Sequence, residues 1–381
     1  MSFFIALLGI SLLAVILWDS FETIILPRRV TRRLRLTRTF YKYTRTPWLQ
    51  IARRMTPGKR QEGFLSVFGP LSVLLLFAVW AVGLILSFAM LQWATGRGTG
   101  GGWSIQSFRT DLYLSGTTFF TLGLGDVTPH TPLARFVTVA EAGTGFGFLA
   151  IVIAYLPVLY GAFSRREVNI SLLDARAGSP PTAAELLRRH SRQNNLEALE
   201  QYLLAWETWS AELMESHLSY PVLCYFRSQH NNQSWVSALA TILDSCALLI
   251  AHTEGALRWQ AELTFAISRH ALVDLAQVIA VPPRPPSVDR FDPIILTELR
   301  VILGAAGAPL CKALAAEETL TLLRQMYEPF LFGFSEPLLM PLPVWRTGTG
   351  FVDNWKTSAW GRVSTAAGIV PVLPVEEDDH A

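Results

Sequence analysis

The chain has 381 residues, of which 51% are hydrophobic and only 16% charged, with a formal net charge of +2. That balance is too apolar for an ordinary soluble domain and points to a membrane protein. The long uncharged runs lie in the first 165 residues, while the remainder mixes charge and apolarity in the globular way, so one part in lipid and one in water are expected.

Residues 3–18 carry no charge and approach the roughly 20 apolar residues that cross about 30 Å of hydrocarbon. No Lys or Arg precedes the run, and Asp19, Ser20, Phe21 and Glu22 come next in place of a small-x-small cleavage site. A retained first transmembrane segment (1–27) is therefore expected rather than a signal peptide. Between Glu22 and Glu62 there is no acid, while Arg28, Arg29, Arg32, Arg33, Arg35, Arg38, Lys42, Arg45, Arg53, Arg54, Lys59 and Arg60 accumulate. The positive-inside rule makes this basic loop (28–63) cytoplasmic. The amino terminus then lies outside, a second span at about 64–93 runs outward, and a third at about 134–163 returns to Arg165 and Arg166. Spaced arginines also suit a voltage-sensing helix, but polar residues fill the gaps here, and contact with anionic lipid headgroups is the plainer consequence. The expected location is the plasma (inner) membrane, multi-pass, with a cytoplasmic carboxy-terminal domain.

Glycines at 96, 98 and 100–102 suit an exposed outer loop, and without a terminal Gly-Lys-Ser/Thr they make no phosphate-binding loop. Residues 107–120 form a short semi-polar segment between two spans of opposite course, which reads as a re-entrant pore helix. Non-helical backbone after it, at membrane depth, must be buried in protein or line water. The residues at that place are Thr121-Leu122-Gly123-Leu124-Gly125-Asp126. Stacked rings of carbonyl oxygen replace the hydration shell of a cation when consecutive residues turn their C=O groups to one axis. Such a backbone alternates between ordinary and left-handed regions, and glycine favours the latter, as Gly123 and Gly125 would.

The hexapeptide resembles the pore signature Thr-Val-Gly-Tyr-Gly-Asp of potassium channels, and residues 64–163 resemble the ion channel 2 pore domain of the bacterial potassium channel family. The resemblance implies a filter at 121–126, with the Thr121 hydroxyl as its innermost oxygen ring, Asp126 fastening its outer mouth, and Thr117 and Thr118 in support. Leu124 stands where tyrosine is usual and Phe120 where a second threonine precedes the filter. The run from Gly125 to Tyr160 looks like a channel inner helix, in which Gly143, Gly145, Gly147 and Pro157 read either as a gating hinge or as close packing behind the filter. Glu141, an acid inside this span, would brace the filter by hydrogen bonds or face the cavity. One pore segment and no internal repeat require four chains for a fourfold ring, hence a homotetramer.

From about residue 182 to 336 amphipathic helices are expected, as in Leu196-Leu199-Tyr202-Leu203-Trp206-Trp209-Leu213 and Trp235-Leu239-Ile242-Leu243-Cys246-Leu249-Ile250. Ala177–Thr182 reads as a linker, and Pro282-Pro283-Arg284-Pro285-Pro286 as a divider. No strand, Gly-x-Gly-x-x-Gly, helix sequence marks a nucleotide-binding domain. Cys224, Cys246 and Cys311 read as buried free thiols, and His190, His217, His230, His252 and His270 lack metal spacing. The polar and aromatic region Trp209–Trp235 is a candidate contact surface, and residues 376–381 are an acidic tail. The fold class expected is an all-α membrane protein: a span, a span/re-entrant helix/span channel module (64–166), and a helical cytoplasmic domain (167–381). The function expected is passive K+ conduction, with no enzyme activity, nucleic-acid partner or cofactor beyond permeant K+. Two alternatives are a non-selective cation channel and a membrane-anchored helical scaffold or sensor with a vestigial pore.

Overall fold

In a computed structural model the described residues are 2–26, 35–95, 105–191, 196–230, 233–291, 294–305, 310 and 314–345. Among them the only regular structure is helical, in two compact units that divide between Gly161 and Ala162. The protein is an all-α membrane protein: helices α1 (Ser2–Ile24), α3 (Lys59–Ala94) and α5 (Pro132–Ala177) are long and apolar enough to span a bilayer. Between them lie α2 (Leu36–Arg54) and α4 (Ile105–Phe119).

In the first unit α1 packs antiparallel on α3. A Cβ on Gly83 would lie 2.3 Å from Ile16 Cδ1, and one on Gly9 would lie 3.1 Å from the Ser87 carbonyl oxygen. Small residues are what let two helices in lipid approach this closely. The register also brings Asp19, 0% exposed, to Trp80, whose indole N–H donates to the carboxylate at 3.0 Å. The Thr37 backbone N–H and hydroxyl donate to the same carboxylate, at 3.1 and 2.6 Å. Three donors thus offset the desolvation of an acid at the end of a span. Glu22, the other acid at this end of α1, lies 3.5 Å from Arg35 of the arginine-rich stretch.

Helix α2 falls within the stretch read from sequence as a basic loop. Its packed face repeats at helical spacing through Thr37, Tyr41, Thr44, Trp48 and Ala52, opposite the exposed Arg38 and Lys42. Trp48 stacks on Phe64 with ring centroids 4.4 Å apart, and Gln61 donates to the Ala52 carbonyl at 3.0 Å. Thr37 at one end meets α1 and Trp48 at the other meets the start of α3, so α2 lies alongside the first turns of α3. Arg28, Arg29, Arg32 and Arg33 fall outside the described residues.

The second unit is built around α8 (Trp235–His252), with α6 (Ala183–Ser191), α7 (Leu196–Ser219), α9 (Gly255–Val278) and α11 (Leu314–Leu338) packed on it, and α10 (Ile294–Ala305) on α6. From Leu199 to Leu213 the pattern buries its stripe as an amphipathic helix does. The Trp235–Ile250 pattern does not: its apolar window is buried on every face, because neighbouring helices close round it. The Pro-rich stretch is not a divider. It straps α11, with Arg284 N–H donating to the Pro329 carbonyl at 2.8 Å and Gly333 leaving room for the Pro282 carbonyl.

Inside this core Arg290, which follows α9 in the chain, grips Asp244 of α8 with two N–H donors at 2.9 and 2.8 Å and reaches Glu328 at 3.1 Å. The Tyr327 hydroxyl donates to Asp244 at 2.6 Å. Burial alone would pull the guanidinium down in pKa, but the Asp244 and Glu328 carboxylates hold it up, while burial and Asp244 push the Tyr327 phenol well up. Cys224 and Cys246 are buried thiols, burial pushing Cys246 up in pKa; Cys311 lies outside the described residues.

Candidate functional site

Helix α4 is too short to span and ends at Phe119, where the chain leaves helical geometry. Its amino-terminal end is tied to α3 by the Trp93 indole N–H donating to Ser107 Oγ at 3.2 Å and by the Trp93 and Phe108 rings, 5.2 Å apart. Beyond its other end the backbone alternates: φ is positive at Thr121 (57°), Gly123 (53°) and Gly125 (79°), but not at Leu122 or Leu124. Two of the three positions are glycine, for which the left-handed region carries no Cβ penalty. Thr121, which does carry one, is not expected there from sequence. The amide N–H groups of Leu122 and Gly123 turn back to the Thr117 carbonyl at 2.8 and 3.3 Å, and that of Thr121 to the Thr118 carbonyl at 3.0 Å. Among the described residues, no hydrogen bond ends on a carbonyl oxygen of residues 121–125. The side chains of Leu122 and Leu124 are 62% and 63% exposed in the single chain.

Two helices hold this loop. The Tyr113 hydroxyl on α4 donates to Asp126 Oδ2 at 2.9 Å, tying the end of the hexapeptide to the helix before it. Behind α4, Ser115 Oγ lies 2.7 Å from the Ile85 carbonyl oxygen of α3 and in hydrogen-bond contact with Glu141 Oε1 of α5. Glu141 is 0% exposed, on the side of α5 that faces α4. One turn further on, a Cβ on Gly145 would sit 2.2 Å from the Phe119 carbonyl oxygen, so only glycine seats the end of α4 there. Gly143 and Gly147 meet nothing within 4 Å, and α5 continues helical through them and Pro157. The three alternating glycines therefore differ in what surrounds them. Thr117 is buried, its hydroxyl donating to Leu114 O at 3.0 Å, and Thr118 is half-buried. Gln92 near the carboxyl end of α3 ties it to α5, donating to Ala134 O at 3.2 Å and to Thr138 Oγ1 at 2.8 Å.

Tyr113, Ser115 and Gln92 are site residues that the sequence reading does not single out. Their signal exists in one form: a polar side chain in a segment at membrane depth needs a partner. The partner's identity is not written in the spacing.

Elsewhere the candidate contact region Trp209–Trp235 serves internal contacts. The Trp209 indole N–H donates to the Arg166 carbonyl at 3.1 Å, and Arg227 donates to the Leu338 and Leu339 carbonyls, each at 2.9 Å. His217, fully buried, faces Arg166 Nη1 at 3.1 Å through Nε2, while Nδ1 meets the Leu213 carbonyl at 2.9 Å. Burial first, and the Arg166 charge second, hold its pKa well below the usual histidine value. Nε2 is thus the acceptor of a neutral ring. Among the described residues no group of three or more His, Cys, Asp and Glu is placed to hold a metal ion.

Residues 72–159, from within α3 through α4 and the loop into α5, match the family described as Ion channel. The uncharacterized membrane protein YdjJ of Bacillus subtilis (strain 168) is 26% identical over 204 residues, a match that covers 51% of this chain and 57% of that protein. The chain thus spans less than two thirds of that relative. No solved structure matches. This is an all-helical membrane protein whose residues 72–159 are similar to the family described as Ion channel.

Proposed function

We propose that four copies of the chain assemble around the loop at 121–126 and pass K+ down its electrochemical gradient through rings of their backbone carbonyls. The observation that carries this reading is the alternation of φ at Thr121, Gly123 and Gly125, with the N–H groups of Thr121, Leu122 and Gly123 turned back onto α4. A chain with that alternation leaves its carbonyl oxygens unbonded for a cation that must shed water. Helix α4 ends at the loop, so the partial negative charge of its carboxyl end also favours a cation there. Asp126, held by Tyr113, would keep the mouth in place without the hydroxyl that tyrosine would bring at Leu124.

In the assembly the exposed apolar side chains of α5, among them Phe136, Val139, Phe146 and Ile153, would be covered by neighbouring copies and lipid. Gly143 and Gly147, with free space about them, would serve as the hinge near Pro157, whereas Gly145 packs. Arg38 and Lys42, exposed beside the end of α1, would meet anionic headgroups of the cytoplasmic leaflet of the plasma membrane.

The test is the reversal potential of the purified protein in planar bilayers with K+ on one side and Na+ on the other. A reversal near the K+ equilibrium potential is expected. Clear current reversing near zero would assign a non-selective cation pore instead, and silence in all conditions would leave a membrane-anchored scaffold.

A further inference from the structure

The contact behind the pore helix has a donor count that fixes its chemistry. Ser115 Oγ touches two oxygens, the Ile85 carbonyl at 2.7 Å and Glu141 Oε1. A serine hydroxyl has one hydrogen to give and can accept two. The Ile85 carbonyl has none to give. If the serine hydrogen goes to Ile85, the hydrogen between Ser115 and Glu141 has to come from Glu141. If it goes to an ionised Glu141, the Ser115 and Ile85 oxygens face each other at 2.7 Å with no hydrogen between them.

The other carboxyl oxygen, Glu141 Oε2, is buried and has no hydrogen-bond partner among the described residues. An ionised carboxylate would then be both buried and half unsatisfied, which is strongly unfavourable, whereas a neutral acid leaves only a carbonyl-type oxygen unmet. Among the described residues no cation is positioned to compensate. Helix α3 brings no charged residue after Glu62, the groups on α4 are Arg109, which is exposed, Asp111 and Tyr113, and Arg135 on α5 itself is exposed and donates to the Pro129 carbonyl. Asp126, the remaining acid near the loop, is held by Tyr113.

We propose that Glu141 is a neutral carboxylic acid that donates to Ser115, which in turn donates to the Ile85 carbonyl, so that one relay of two hydrogen bonds joins α5, α4 and α3 behind the loop at 121–126. Glu141 is thereby a positioning residue: it acts on the loop through α4 and touches no ion. Its role in holding a filter rests on the channel reading above, but its protonation does not. Loss of the proton leaves Ser115 with two acceptors and one hydrogen, so the relay breaks on ionisation and the three helices lose their common tie.

The experiment is difference infrared spectroscopy of the full chain in lipid at neutral pH, wild type minus Glu141→Gln. The expected result is a protonated-carboxyl C=O band present in wild type and missing in the variant, shifted in Ser115→Ala where its acceptor is removed. Absence of that band, or a band indifferent to Ser115→Ala, overturns the proposal whether or not the protein conducts. In conducting samples, current that falls at alkaline pH in wild type and stays level in Glu141→Gln, which can still donate to Ser115, is expected. The same alkaline fall in both would assign it to another group and overturn the role given to Glu141.

Discussion

By length and composition α1 and α8 both qualify as membrane spans, yet 17% of the apolar window of α1 is buried inside the protein against 100% of that of α8. Hydropathy records that a helix must leave water; it does not record whether lipid or protein receives it. The difference shows in where each region keeps its polar groups. In the first unit Phe3, Phe4, Leu7 and Leu8 of α1 point outward while Asp19, Gln92, Ser115 and Glu141 point inward and are met from another helix. In the second unit apolar side chains fill most of the interior, and one buried polar group within it, Arg290 with Asp244 and Glu328, pairs charge with charge. The lipid-facing unit is tied by single directional bonds and small residues at helix contacts, whereas the second relies on burial of apolar surface.

The first unit should therefore be most sensitive to enlarging a small residue. Gly145→Ala drives a Cβ to 2.2 Å from the Phe119 carbonyl oxygen and is expected to abolish current and lower the yield of assembled protein in size-exclusion chromatography. Gly147→Ala meets nothing within 4 Å and is expected to alter gating alone. Gly123→Ala, at a φ of 53°, adds about 1–2 kcal/mol of strain per copy and is expected to eliminate K+ current with assembly intact.

In the second unit Asp244→Ala leaves Arg290 buried without its main partner, at a cost of about 3–5 kcal/mol, read as a fall in the denaturation midpoint. Arg258→Ala, which removes a pair exposed at 45% and 36%, is expected to change that midpoint by about 0.5 kcal/mol or less. Equal effects would erase the contrast between buried and exposed charge.

Asp19→Ala strips three donors of their acceptor and is expected to cost about 1–3 kcal/mol. The loss should appear locally, as faster tryptic cleavage at Arg38 and Lys42 when α2 loosens from α1, with the second unit unchanged. A pH effect is expected as well. His217 is held neutral in the fold, so the unfolded chain binds more protons below its ordinary pKa near 6.5. Stability is therefore full above that value and falls with acidification, by about 1.4 kcal/mol per pH unit, and His217→Gln should flatten that part of the slope. His190, also lowered chiefly by burial, acts in the same direction.

Much of this architecture is legible in the sequence. Uncharged runs mark α1, α3 and α5 because lipid tolerates little else, and the 3.6-residue stripe of α7 reports a helix with one wet side. Two elements mislead for physical reasons. In α2 the charge of Arg38 and Lys42 masks the packed stripe Thr37-Tyr41-Thr44-Trp48-Ala52, and in α8 apolarity on all sides, set by its neighbours, defeats any search for a face. At the site, Gly123 and Gly125 announce their backbone because no other residue adopts it cheaply. Ser115 and Tyr113 announce nothing, since a hydroxyl's partner is decided by which helices meet.

Conduction as proposed requires that backbone carbonyls of residues 121–125 face an axis shared by four chains and hold dehydrated K+. Anomalous scattering from Tl+, a K+ substitute, in crystals of the assembled protein would show this without recourse to current. The expected result is a column of peaks on a fourfold axis level with Thr121–Gly125, lost on exchange into K+. An ordered loop with no such peaks, or an assembly without the axis, would contradict it.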